Sequence, residues 1–169
     1  MIKQPIFLVG MMGAGKTSLG SALAEKMAVP FLDTDQWIED KAGKSISSIF
    51  KEDGESTFRT WEQTCLSEIN HTPQMIATGG GLPCFNANMT QLLEKGLVIY
   101  LEMTSLELYE RVKNDAHRPL LSNESNLQQK IEELLELRAS TYLQATFCIQ
   151  ANKPVEELVK EIVRQIDSI

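Results

Sequence analysis

Apolar positions in this chain gather into five short runs that lack clean alternation with polar ones: PIFLV at 5–9, PFLDT at 30–34, QMIAT at 74–78, LVIYL at 97–101 and TFCIQ at 146–150. Strands buried on both faces of a parallel sheet read this way. The segments between and after them carry helical periodicity, and predict helices at 16–27, 35–42, 46–52, 55–70, 86–95, 105–114, 125–143 and 154–167. Ser45 and Asn86 stand where N-caps are expected, and Gly96 follows LLEK where a helix should end. Alternating strand and helix argues for an α/β sandwich, with helices on both faces of a parallel sheet. No repeat, linker or second domain interrupts it. The polar stretch from Asn114 to Asn126 has no period and is read as a mobile flap.

The chain's 169 residues suit one domain, and 43% apolar with 23% charged residues describes a globular chain. The formal charge of −7 disfavours a nucleic-acid or anionic-membrane surface as the main partner. Cys65, Cys84 and Cys148 are scattered, odd in number and form no CxxC, which points to a reduced, cytoplasmic protein. His71 and His117 have no metal-ligand spacing. The opening MIKQPIFLVGMM is too short in its apolar part for a signal peptide and leads directly into a glycine-rich loop, so a buried strand is expected there.

That loop, GMMGAGKT at Gly10–Thr17, fits GxxxxGK[ST] between a strand and a helix. Its glycines let backbone N–H groups of Gly13, Ala14, Gly15 and Ser18 approach phosphate oxygens, helped by the positive end of the helix. Lys16 is expected to reach the β- and γ-phosphates and the Thr17 hydroxyl to ligate Mg²⁺. No NKxD signature is present, which favours ATP over GTP.

Asp33 and Asp35, in LDTDQW, stand two apart at the end of the second strand, so an extended backbone would project both to one side. One could serve the metal and the other take a hydroxyl proton. The plainer reading makes Asp35 the N-cap of the helix that follows. On the 55–70 helix, Phe58, Trp61, Cys65, Leu66 and Ile69 fill one arc, with Glu62 inside it and Arg59 at its margin. On the 125–143 helix Arg138 falls at the centre of the apolar face of Leu127, Ile131, Leu134, Leu135 and Tyr142. An inward arginine is costly unless paired. Glu62 can pair with Arg59, whereas Arg138 needs either a carboxylate elsewhere in the core, an escape along the helix edge, or the carboxylate of an acidic substrate. Arg111 closes a helix, and Arg118 sits in the flap, from which it could close onto a transferring phosphoryl group. The stretch MIATGGGLP, Met75–Pro83, places three glycines at the end of a strand beside the phosphate loop. It reads either as a flexible turn or as bare backbone offered to a ligand.

Taken in order, Gly10–Thr17, DTD, FRTWE, TGGG, RPLL and LRASTY resemble the shikimate kinase family nearly end to end. The resemblance implies a three-layer P-loop fold of the nucleoside monophosphate kinase type, with a five-stranded parallel sheet in the order 2-3-1-4-5. It implies one domain over 1–169, with a lid at about 113–125 and an acceptor-binding helical region at about 35–62. It further implies Mg²⁺-dependent transfer of the ATP γ-phosphoryl group to the 3-hydroxyl of shikimate, in aromatic amino acid biosynthesis. By that resemblance Lys16, Asp35 and Arg118 are catalytic. Thr17 holds Mg²⁺ directly and Asp33 through water. Asp35, Arg59, Glu62, Gly79, Gly80, Gly81 and Arg138 serve shikimate, while Arg111, Arg118 and Lys153 join the phosphate loop on ATP. Lys153 stands where the family often has arginine. The expected working unit is a monomer with no nucleic-acid or membrane partner. The rival readings are a gluconate-kinase-like sugar-acid kinase, a nucleoside monophosphate kinase, and a nucleotide-binding interaction module without catalysis.

Overall fold

The computed structural model describes residues 2–113 and 126–168. Five strands, β1 (Ile6–Val9), β2 (Phe31–Asp33), β3 (Met75–Ala77), β4 (Leu97–Glu102) and β5 (Phe147–Gln150), form one sheet in the order β2-β3-β1-β4-β5. Every pairing is parallel, and β1 lies between β3 and β4 with Phe7 opposite Ile76 and Val98. The expected strand order is therefore observed. All four residues of β1 are fully buried, although they point alternately to the two faces, so both faces are covered. The outer strands β2 and β5 are only partly buried, as edges should be.

The described helices are α1 (Lys16–Met27), α2 (Thr34–Ala42), α3 (Ile46–Ser48), α4 (Gly54–Glu68), α5 (Asn88–Lys95), α6 (Ser105–Val112), α7 (Leu127–Tyr142) and α8 (Val155–Asp167). Helix α1 lies against β1, β2 and β3 and packs on α8; α5 covers β4, and α7 packs on α6. A main core spans the sheet and these helices, while Ile38, Ile49 and Phe58 centre a smaller cluster joined by Trp37, Ile46, Phe50 and Trp61. No helix among the described residues is long and apolar enough to cross a membrane.

Two local expectations need correction. Asn86 does not cap α5: Asn86 and Ala87 both take left-handed conformations (φ 52° and 55°), and the helix starts at Asn88. A short 3₁₀ turn at Leu82–Cys84 uses up the preceding chain, and the buried Asn88 amide donates to the Leu82 carbonyl at 2.8 Å instead. The 46–52 helix is one α-turn capped by Ser45, followed by a π-turn over Ile49–Asp53. Gly96 does end α5, but with φ −176°, so its value is space: a Cβ there would lie 2.1 Å from the Pro5 carbonyl oxygen.

Helix α6 opens with a capping box. The Thr104 hydroxyl accepts from the Glu107 N–H (3.3 Å) and the Glu107 carboxylate accepts from the Thr104 N–H (2.8 Å). The same Glu107 accepts from Asn152 at 2.9 Å, tying the start of α6 to the loop after β5. Thr104→Ala should lower unfolding free energy by about 1 kcal/mol. Urea denaturation should show a lower midpoint with an unchanged slope.

Candidate active site

The carboxyl ends of the strands, where open α/β sheets accept ligands, carry the candidate residues. The chain leaves β1 through Gly10–Gly15, with Gly13 (φ 83°) and Gly15 (φ 90°) in conformations that only glycine adopts easily, and enters α1 with Gly15 at its N-cap. The N–H groups of the first helical turn therefore face a cavity of about 280 Å³. Met12, Gly13, Gly15, Lys16, Thr17 and Ser18 line one side of it; Asp33, Asp35, Thr78, Gly80 and Arg111 line the others. The Lys16 ammonium donates to the carbonyls of Gly10 and Met11, each at 2.8 Å. The Thr17 hydroxyl donates to Asp33 Oδ2 at 2.7 Å.

The sequence pattern is right that Asp33 and Asp35 face one site and wrong about why. Strand β2 stops at Asp33, whose carboxylate caps α2 by accepting from the N–H groups of Asp35 (3.0 Å) and Gln36 (3.4 Å). Asp35 therefore lies in the first turn of α2, not on extended backbone, and Asp33 rather than Asp35 is the N-cap. Asp35 Oδ1 is buried without a hydrogen-bond partner among the described residues. Burial, reinforced by the neighbouring Asp33 charge, pushes its carboxyl up to about 6.

Helix α4 presents Phe58, Glu62, Cys65 and Leu66 inward as the periodicity requires. Arg59 sits at the edge of that face, its side chain 14% exposed, and donates to Glu62 at 2.8 Å. Two partners of Arg59 escape the sequence reading. Glu55 accepts from its Nη2 (2.7 Å) and Nε (3.2 Å), and the Phe85 ring lies 3.6 Å from the guanidinium carbon. The Glu55–Arg59 spacing of four was a legible signal for the first; nothing in the local sequence announces the second. Burial drives the Glu62 carboxyl upward while Arg59 pulls it down. Arg138 is buried, 7% exposed, and makes no ion pair among the described residues. Its Nη1 lies 4.0 Å from the Met11 sulfur.

These groups meet at Gly79–Gly81. A Cβ on Gly79 would stand 2.5 Å from Asp35 Oδ1. One on Gly81 would stand 3.0 Å from Arg59 Nη1, and one on Gly80 3.3 Å from the Met12 nitrogen and 3.6 Å from Arg138 Nη1. The Gly79 N–H donates to the Thr34 hydroxyl at 2.9 Å, and the Gly80 carbonyl accepts from the Tyr142 hydroxyl at 2.6 Å. The TGGG stretch is thus an ordered surface, not a slack turn.

On the opposite side of the phosphate loop, Arg111 donates to the carbonyls of Ala14 (3.3 Å) and Ala151 (2.9 Å). Lys153 is not among the residues lining the cavity, and its ammonium is held by Glu161 at 2.6 Å. Arg118, His117 and the expected lid from 114 onward lie outside the described residues.

The Asp35 carboxyl holds its proton more tightly in the folded chain than in the unfolded one. Its contribution to stability is therefore complete below about pH 4 and lost as pH rises through about 6. With no nucleotide or metal added, Asp35→Asn should be more stable than the parent chain at pH 8 by on the order of 2 kcal/mol. The gain should vanish near pH 4 in thermal or urea unfolding.

The model of the shikimate kinase family matches residues 12–167. The chain is similar to the shikimate kinase of Thermodesulfovibrio yellowstonii, with 39% identity over 97% of this chain and 95% of the relative. It is 40% identical to that of Persephonella marina, over 95% of this chain and 98% of the other. Among solved structures it resembles the shikimate kinase from Acinetobacter baumannii in complex with shikimate (TM-score 0.92, 38% identity, 98% and 94% coverage). The shikimate kinase from Bacteroides thetaiotaomicron is similarly close (TM-score 0.90, 35% identity, 97% and 98% coverage). A gluconokinase from Sinorhizobium meliloti, at 20% identity and TM-score 0.61, shares the fold alone. Deoxyadenosine kinase from M. mycoides does likewise, at 16% identity and TM-score 0.64. Because the family match over residues 12–167 takes in Lys16, both aspartates, Arg59, Arg138 and Gly79–Gly81, this chain belongs to the shikimate kinase family, a family of ATP-dependent kinases that act on a small molecule in aromatic amino acid biosynthesis.

Proposed function

We propose that this chain transfers the γ-phosphoryl group of ATP to the 3-hydroxyl of shikimate, giving shikimate 3-phosphate and ADP, and that the acceptor lies on Gly79–Gly81. The observation that carries this reading is the convergence of Asp35, Arg59 and Arg138 on three glycines whose added Cβ atoms would stand 2.5, 3.0 and 3.6 Å from them. A flat ring bearing a carboxylate and hydroxyls matches that surface. Arg138, buried without an ion pair among the described residues, would gain one from the ring carboxylate, and Arg59 would supply the second fork. Glu62, and by the same geometry Glu55, hold Arg59 so that its Nη1 and Nη2 lie over Gly81.

Asp35 is suited to take the acceptor's proton, because a desolvated carboxylate with a raised pKa is a better base than an exposed one. In a loose phosphoryl-transfer transition state its larger contribution is to orient the hydroxyl. Lys16 would exchange loop carbonyls for phosphate oxygens, with the N–H groups of Gly13, Ala14, Gly15, Thr17 and Ser18 around them. The Thr17 hydroxyl and Asp33 carboxylate, 2.7 Å apart at the edge of the cavity, are hard oxygen donors that fit Mg²⁺, Asp33 acting through water. When bound, the ion neutralises charge on the β- and γ-phosphates. Arg111 would flank adenine; Lys153, tied to Glu161, would border it at a distance. Arg118 would close with a lid at 113–125, and residues 35–62 would form the acceptor-binding region of a single domain. We assign the enzyme to the cytoplasm as a monomer.

A coupled assay of ADP release with shikimate, gluconate and nucleoside monophosphates tests the reading. Turnover with Mg-ATP should require shikimate; turnover with gluconate and none with shikimate would overturn it. Asp35→Asn should lower kcat by roughly a hundredfold or more while ATP binding persists. Arg138→Lys should raise the shikimate KM by about tenfold or more, because lysine cannot fork; an unchanged KM would make Arg138 a structural residue. Arg118→Ala should act mainly on kcat.

A further inference from the structure

Tyr142 ends α7 with its side chain fully buried, and its hydroxyl sits at a junction. It donates to the Gly80 carbonyl at 2.6 Å and reaches the Met11 sulfur at 3.7 Å. Met11 belongs to the phosphate loop, Gly80 to the glycine floor, and Arg138 stands one helical turn before Tyr142 on the same face. The Arg138 guanidinium touches that same sulfur at 4.0 Å. From below, the Tyr142 ring stacks on Tyr100 of β4, centroids 5.1 Å apart and planes 27° from parallel.

The Gly80 peptide needs such a tether. Strand β3 ends at Ala77, so the Gly80 carbonyl lies beyond the sheet ladder. With no side chain of its own, Gly80 cannot anchor itself by packing, and a Cβ there would stand 3.3 Å from the Met12 nitrogen and 3.4 Å from the Gly10 carbonyl oxygen. A rotation of this peptide would shift the surface offered to the acceptor relative to the phosphate loop. Misplacement by about 1 Å can cost a hundredfold in rate. Burial pushes the phenol pKa further up, so the hydroxyl remains a donor across the working pH range.

We propose that Tyr142 is a positioning residue for phosphoryl transfer: its hydroxyl, donating to the Gly80 carbonyl while resting against the Met11 sulfur, fixes the acceptor floor against the phosphate loop so that the acceptor hydroxyl, rather than water, meets the γ-phosphorus. This rests on the assignment of Gly79–Gly81 as the acceptor floor. Tyr142 touches no reacting atom. Its role is distinct from that of Arg138, which would bind the acceptor by charge.

The test is Tyr142→Phe, which keeps the ring and its stack and removes the hydroxyl, with its bond to Gly80 and its contact with Arg138, the latter read separately in the shikimate KM. Four quantities are measured below the variant's melting temperature: kcat, shikimate KM, ATP Kd, and the ratio of ADP released to shikimate 3-phosphate formed. We expect kcat to fall by about tenfold, within the range that misplacement produces. ATP Kd should stay within about twofold, and the ADP to product ratio should rise clearly above one as water intercepts the phosphoryl group. Met11→Leu, which at nearly constant volume removes the sulfur that both Tyr142 and Arg138 touch, should raise the ratio less. Tyr100→Leu, which loosens the stack and leaves the Tyr142 hydroxyl in place, should lower the melting temperature and keep the ratio at one. A ratio of one in both Tyr142→Phe and Met11→Leu, with activity lost only in proportion to unfolded protein, would overturn the proposal. If the unaltered enzyme forms no shikimate-dependent product, the acceptor assignment fails instead, and the proposal with it.

Discussion

An arginine buried on the apolar face of α7 is the constraint around which the site is organised. Removing a guanidinium from water costs several kcal/mol, and such a charge persists only if its surroundings are arranged to accept it. Around Arg138 those surroundings are a polarisable sulfur from Met11, the field of Glu62 and the bare backbone of Gly80. Each is also part of something else: Met11 of the phosphate loop, Glu62 of the brace on Arg59, Gly80 of the proposed acceptor floor. The cost of holding Arg138 inside is thereby spread over every element that must be in register for phosphoryl transfer.

Asp35 belongs to the same economy of strain. Its carboxylate is buried beside Asp33 with one oxygen unpartnered among the described residues, an arrangement that opposes folding at neutral pH. Raised carboxyl pKa values of this kind gather where a proton must be accepted near neutrality. Two groups held unfavourably in the empty protein, an arginine and an aspartate of opposite sign, are complementary to an acid that carries hydroxyls. Binding such a ligand would relieve part of both costs, which favours affinity as well as alignment.

Much of this was legible in the chain itself. The strand runs gave all five strands within two residues, because strands buried on both faces need no alternation to identify them. GMMGAGKT gave the phosphate loop because its glycine and lysine positions are set by backbone geometry. The inward arginines were visible because a charge on an apolar arc conflicts with its surroundings. What failed were features decided by distant contacts. Asp33 takes the helix cap because β2 ends one residue earlier than the pattern suggests. Phe85 reaches Arg59 only because the 3₁₀ turn at Leu82–Cys84 redirects the chain. Tyr142 looked like ordinary core, since periodicity reports which face is buried and not what a hydroxyl meets there.

The glycine floor also bears on how such a site can change over generations. A wall made of side chains can be retuned by exchanging one for another. A floor made of backbone offers only additions, and at Gly79 even one methyl group would lie 2.5 Å from the Asp35 carboxylate. Exchange at residue 79 is therefore opposed unless Asp35 moves with it, whereas Gly80 and Gly81 ask smaller shifts of their neighbours. Drift toward a different ligand has an easier start in the surrounding helices, with Arg59 on α4 or Arg138 on α7.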